Sequence, residues 1–97
     1  MDEYIELMKE LIRCRPVSAD PAAVNRANGV LKSFLEARGI FCTLEQTGDR
    51  TCLYASTRPG KVPVLLLNSH VDVVPAGKPS AWKYPPFSAT EVRRLSP

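Results

Sequence analysis

Histidine and cysteine are scarce in this chain of 97 residues, which contains one histidine and three cysteines. The cysteines, Cys14, Cys42 and Cys52, are odd in number and have no C-x-x-C spacing, so neither a disulfide framework nor a thiolate zinc site is expected. Cys42 and Cys52 could face each other across a hairpin, but buried free thiols are the simpler interpretation.

Strong charge and membrane-length apolar stretches are also missing. The net charge is only +3, and the basic residues are scattered along the chain. No aromatic platform for bases accompanies them, so no nucleic-acid partner is expected. No apolar run approaches the ~20 residues that cross a bilayer, and the acidic start, Met1–Tyr4, is unlike a signal peptide. These features predict a cytoplasmic protein without a membrane partner.

The length allows one small domain, and its first half is predicted to be helical. Residues 2–14 carry an apolar stripe at helical spacing and end before Pro16. A second helix is predicted over 21–38, with Asp20 as its N-cap, Pro21 in its first turn and Gly39 as its left-handed C-terminal cap. The two apolar faces comprise Tyr4, Ile5, Met8, Leu11 and Ile12, then Val24, Ala27, Leu31, Phe34 and Leu35.

Three strands are predicted after the helices. Residues 40–45 and 52–57 flank a turn at 48–50 and are expected to form a hairpin. Residues 62–67 are apolar at every position, which is typical of a strand covered on both faces, and Pro63 lies near its start, where proline is tolerated. The order α-α-β-β-β indicates a layered α/β fold.

Polar residues follow the third predicted strand directly. In extended chain His70 and Asp72 project from the same face, so the Asp72 carboxylate could orient the His70 ring by accepting a hydrogen bond from it, as partners of metal-bound histidines do. Alternatively, His70 is an ordinary polar residue and Asp72 caps a turn. One histidine and one aspartate do not complete a zinc site, which needs three or four protein ligands.

A proline-rich loop is predicted from residue 73 onwards. It contains an aromatic and proline cluster, 82–88, which either anchors the loop or lines a pocket. Anchoring is the simpler interpretation, and the arrangement of prolines and arginines does not favour an SH3 ligand.

The segment 69–75, Ser-His-Val-Asp-Val-Val-Pro, followed by Trp82 and then by 85–89, Pro-Pro-Phe-Ser-Ala, resembles the first signature of the co-catalytic zinc amidohydrolases. That family includes acetylornithine deacetylase, succinyl-diaminopimelate desuccinylase, the glutamate carboxypeptidases and aminoacylase. The resemblance covers 1–92 and implies the N-terminal part of a zinc-peptidase-like catalytic domain.

The resemblance also implies roles for two residues. His70 corresponds to a ligand of one of two zinc ions, with Co²⁺ as an alternative metal, and Asp72 to the catalytic aspartate that orients this ligand. The family hydrolyses the amide bond of N-acyl amino acids or small peptides through a metal-bridging water and a glutamate base, which is two-metal chemistry.

The sequence departs from the family after Val92. The bridging aspartate, the glutamate pair, the later ligands and the smaller dimerisation domain are absent, so independent activity is not expected, and a homodimer would require the missing domain. The divergent tail, 93–97, suggests a frameshift or truncation. The alternative hypothesis is an inactive remnant or a small interaction protein that keeps only the first metal-ligand motif.

Overall fold

The structure is a computed structural model that describes residues 2–62 and 65–92. Helix α1 spans Asp2–Arg13 and helix α2 spans Pro21–Glu36; strand β1, Phe41–Thr47, then pairs antiparallel with strand β2, Arg50–Ser56. The predicted order of two helices followed by a hairpin is confirmed. Neither described helix is long and apolar enough to cross a membrane.

Local signals set the ends of α2. The Asp20 carboxylate accepts a hydrogen bond from the Ala23 amide at 3.2 Å, and Pro21 occupies the first turn, as expected for a capped N-terminus. Gly39 has a φ of +78°, a conformation that costs glycine little. The helix ends two residues earlier than predicted, at Glu36.

The core lies between α2 and the hairpin. Ala23, Val24 and Ala27 are the buried apolar residues of the described part of the chain, together with the buried amide of Asn28. Nδ2 of Asn28 donates to the carbonyl and hydroxyl oxygens of Thr51 at 3.1 and 3.0 Å. Small side chains therefore bring α2 close to the start of β2, and an amide links the two elements.

Replacing Asn28 by alanine should lower the free energy of unfolding by about 1–3 kcal/mol, because the Thr51 groups would lose their buried donor. Urea unfolding followed by circular dichroism measures this change. Arg26→Ala, on the exposed face of the same helix, is the matched control and should stay within about 0.5 kcal/mol of the parent. Equal effects of the two substitutions would contradict the assigned role of Asn28.

The predicted third strand is not observed in the described residues of 62–67. Leu65, Leu66 and Leu67 have no strand assignment, and Leu66 and Leu67 are 81% and 82% exposed; Pro63 and Val64 lie outside the described residues. A strand covered on both faces needs a paired edge and a layer on each side. Within the described chain the sheet has two strands, β1 and β2, and these leucines lie outside it.

The hairpin register separates two of the cysteines. Cys42 pairs with Ala55, and Cys52 pairs with Glu45, so the two thiols do not face each other. All three cysteines are free; Cys14 and Cys42 are half-buried and Cys52 is exposed. The expectation of free thiols is confirmed, whereas the expected burial is wrong, because Cys52 is exposed and the other two are only half-buried.

The proline-rich loop returns to the end of α1. Its regular structure within the described residues is a short 3-10 turn, Pro79–Ala81. The Trp82 indole N–H donates to the Ala76 carbonyl at 3.0 Å within the loop. The Nε–H of Arg13 on α1 donates to the Ser88 carbonyl at 3.2 Å, so the cluster 82–88 anchors the loop, as the simpler interpretation predicted. Lys9 on α1 pairs with Glu91 at 2.8 Å near the other end of the loop. The tail 93–97 lies outside the described residues.

Candidate metal centre at His70

A short parallel bridge positions the polar segment around His70. The Val73 amide donates to the Pro16 carbonyl, and the Ser18 amide donates to the Val73 carbonyl, both at 2.9 Å. The connection between α1 and α2 therefore lies alongside residue 73. Arg50 of the hairpin supports this connection by donating to the Ser18 carbonyl at 2.6 Å.

His70 and Asp72 are brought together as their spacing predicts. His70 Nδ1 lies 3.2 Å from Oδ1 of Asp72 and 2.9 Å from its backbone carbonyl oxygen. When the carboxylate is ionised, neither oxygen carries a hydrogen to donate, and both act as acceptors. A neutral His70 ring therefore carries its hydrogen on Nδ1. This arrangement leaves the Nε2 lone pair available.

The Asp72 carboxylate has a second partner on its other oxygen. The Ser18 hydroxyl donates to Oδ2 at 2.7 Å. The hydroxyl oxygen also lies 3.1 Å from the Val73 carbonyl oxygen, a second acceptor for the same hydrogen. The hydrogen bond from Ser18 is the main cause that holds the pKa of Asp72 below its usual range. The backbone of Asp72 and the His70 ring also lower this pKa, whereas desolvation raises it. The ionised form is thus favoured, as an orienting acceptor requires.

The His70 ring is open to an incoming group. Its side chain is 80% exposed, and no hydrogen bond to Nε2 is found among the described residues. An exposed imidazole whose Nδ1 is engaged by a carboxylate fits the role of one zinc ligand bound through Nε2. No group of three or more histidine, cysteine or acidic residues that could hold a metal occurs within 2–62 and 65–92.

An apolar groove of about 540 Å³ opens beside His70. It lies between α1 and the returning loop and is lined by residues that include Met8, Ile12, Val74, Trp82 and Phe87. The cluster 82–88 therefore lines a groove as well as anchoring the loop, so both interpretations of the aromatic cluster apply. The stripe predicted on α1 contributes to this surface and stays partly exposed there.

Sequence reasoning missed Ser18. The hydroxyl meets a carboxylate 54 residues away, and neither its neighbours nor its spacing to any motif indicates this contact. Pro16 and the N-cap at Asp20 do predict a short connection between the two helices. They do not indicate which part of the chain this connection contacts.

Comparison with known proteins finds relatives for nearly the whole chain. The chain is 40% identical over 91 residues to succinyl-diaminopimelate desuccinylase 2 of Alteromonas mediterranea, covering 94% of this chain and 23% of that protein. It is 37% identical over 90 residues to the desuccinylase of Parvibaculum lavamentivorans, with coverages of 88% and 22%. The corresponding enzyme of Methylobacillus flagellatus is 36% identical, with coverages of 93% and 23%.

The match covers most of this chain but only a small part of each relative. The chain spans less than a quarter of the length of these curated relatives. No family model matches the chain, and no solved structure does. The identity over about nine-tenths of the chain confirms the resemblance carried by residues 69–75 and 82–89: the chain is homologous to part of the succinyl-diaminopimelate desuccinylases.

Proposed function

We propose that this chain supplies the first metal-ligand segment of a zinc-dependent amidohydrolase that cleaves the amide bond of N-acyl amino acids, with an N-succinyl amino acid as the substrate class. The observation that carries the proposal is the His70–Asp72 pair, in which Nδ1 is engaged and Nε2 is open. The desuccinylase names of its relatives support the substrate class.

In this proposal each residue has a separate task. His70 binds one zinc ion through Nε2, while Asp72 holds the Nδ1 hydrogen and keeps the ring in one orientation. A zinc ion held there would supply Lewis-acid polarisation of the scissile amide carbonyl and activation of a water molecule. The apolar groove beside His70 contributes a wall that limits access of solvent to the site.

The proposal includes the domain assignment. Residues 1–92 form the N-terminal part of a catalytic domain, and 93–97 diverge from it. The remaining metal ligands and the general base then come from sequence corresponding to the other three-quarters of the relatives' length. The free thiols support a reducing, cytoplasmic location.

A chimeric enzyme tests the function directly. Residues 1–92 replace the matched segment of the Alteromonas mediterranea desuccinylase, and succinate release from N-succinyl-diaminopimelate is measured with and without added zinc. We expect zinc-dependent hydrolysis, whereas the same enzyme with its matched segment deleted should be inactive. A folded chimera without activity would contradict the proposal and favour an inactive remnant or interaction protein.

A further inference from the structure

We propose that Ser18 is a positioning residue for the metal ligand His70, acting through Asp72. This inference rests on the proposed function for its metal, but its first step concerns the imidazole alone. Ser18 binds Oδ2 of Asp72, while His70 faces Oδ1. The two oxygens of one carboxylate therefore have separate partners, and the carboxylate cannot rotate without losing one of them.

The backbone and the side chain of Ser18 make different contacts. The parallel bridge uses the Ser18 amide and the Val73 carbonyl, and these atoms are present whichever residue occupies position 18. The hydroxyl adds the contact with the carboxylate, and this hydrogen bond to an ionised oxygen is of the stronger kind. Removing the hydroxyl should thus free the carboxylate while leaving the segment in place.

The position of Ser18 is itself fixed from the other side of the connection. The Arg50 guanidinium donates to the Ser18 carbonyl, so the start of β2 holds the residue from which the hydroxyl projects. The hydroxyl reaches Asp72 from an element that is distant in sequence, so the orientation of His70 depends on tertiary packing as well as on its spacing to Asp72.

Ser18 acts by selecting a tautomer. Free neutral imidazole in histidine favours the hydrogen on Nε2, which would block metal binding at that atom. A fixed Asp72 acceptor favours the hydrogen on Nδ1 and leaves Nε2 as the ligand atom. Without the Ser18 hydroxyl, Asp72 can rotate toward solvent, and its backbone carbonyl, 2.9 Å from Nδ1, is then the remaining acceptor for the Nδ1 hydrogen. The tautomer ratio should therefore shift part of the way toward that of free histidine.

The test uses the full chain with ¹⁵N-labelled histidine, since its single histidine makes every ring signal report on His70. Nitrogen chemical shifts of the neutral ring give the tautomer ratio, and a titration with zinc alone then follows binding at Nε2. We expect a predominant Nδ1–H form in the parent chain. Ser18→Ala should shift the ratio several-fold toward Nε2–H and weaken zinc binding by roughly tenfold, whereas Ser18→Thr should restore both.

Ser33→Ala, which removes an exposed hydroxyl from α2, is the matched control and should change neither quantity. An unchanged ratio in Ser18→Ala, or a predominant Nε2–H form in the parent chain, would overturn the inference. If the amide chemical shifts of the hairpin show that Ser18→Ala no longer folds, the Ser18→Thr variant decides. A parent-like tautomer ratio in that variant supports the role of the hydroxyl, and a shifted tautomer ratio overturns it. An inactive, folded chimera together with the expected tautomer in the parent chain would count against the proposed function alone.

Discussion

His70→Ala is expected to reduce the hydrolytic rate of the chimeric enzyme by several orders of magnitude and to lower its zinc content. The substitution removes a ligand atom, and the groups of such a site act as a unit whose losses are far from additive. Within the described part of the chain, no second histidine can replace it. Succinate release and metal analysis by atomic emission measure the two effects.

Asp72→Asn provides the graded comparison. It keeps the shape of the side chain but removes the charge that holds the Nδ1 hydrogen, and loss of such a partner typically costs roughly 10–100-fold in metal affinity or activity. The expected order is therefore a larger loss for His70→Ala than for Asp72→Asn. Ser80→Ala, in the exposed 3-10 turn, should have no effect. Parent-like activity of the His70 variant would exclude it as a metal ligand.

The double substitution Leu66→Lys and Leu67→Lys should have opposite consequences in the chain alone and in the chimera. In the chain alone both leucines are almost fully exposed, and a contiguous apolar surface of this kind promotes association. Sedimentation velocity should show concentration-dependent association of the parent chain and a shift toward monomer in the variant. The free energy of unfolding should change by less than about 0.5 kcal/mol.

In the chimera the same residues are expected to form the third strand, covered on both faces. Burial of an unpaired ammonium group is costly, so the variant should fail to fold or should lose most of its stability. Thr43→Lys, on exposed strand β1, is the control that should be tolerated in both proteins. An unaffected chimera would show that 62–67 do not form a buried strand there, and strong destabilisation of the chain alone would contradict the exposure of the leucines.

The helices and the hairpin were predictable because their signals are local. Asp20, Pro21 and Gly39 act on backbone groups within a turn of themselves, and the hairpin follows from a turn at Gly48. The pairing of individual residues was less predictable, since it depends on which two residues occupy the turn. Strand β2 begins at Arg50, immediately after the turn, and the resulting register places Cys52 opposite Glu45.

The His70–Asp72 contact also followed from spacing, because two residues at i and i+2 in extended chain share a face wherever the segment lies. Two other features depended on packing between distant elements. Ser18 reaches Asp72 because the connection after α1 lies beside residue 73, and residues 65–67 are exposed because a strand forms only where neighbours pair with its edges and cover its faces. Local sequence thus encoded the His70–Asp72 pair, whereas the support of the Asp72 carboxylate and the state of the preceding apolar segment required three-dimensional contacts.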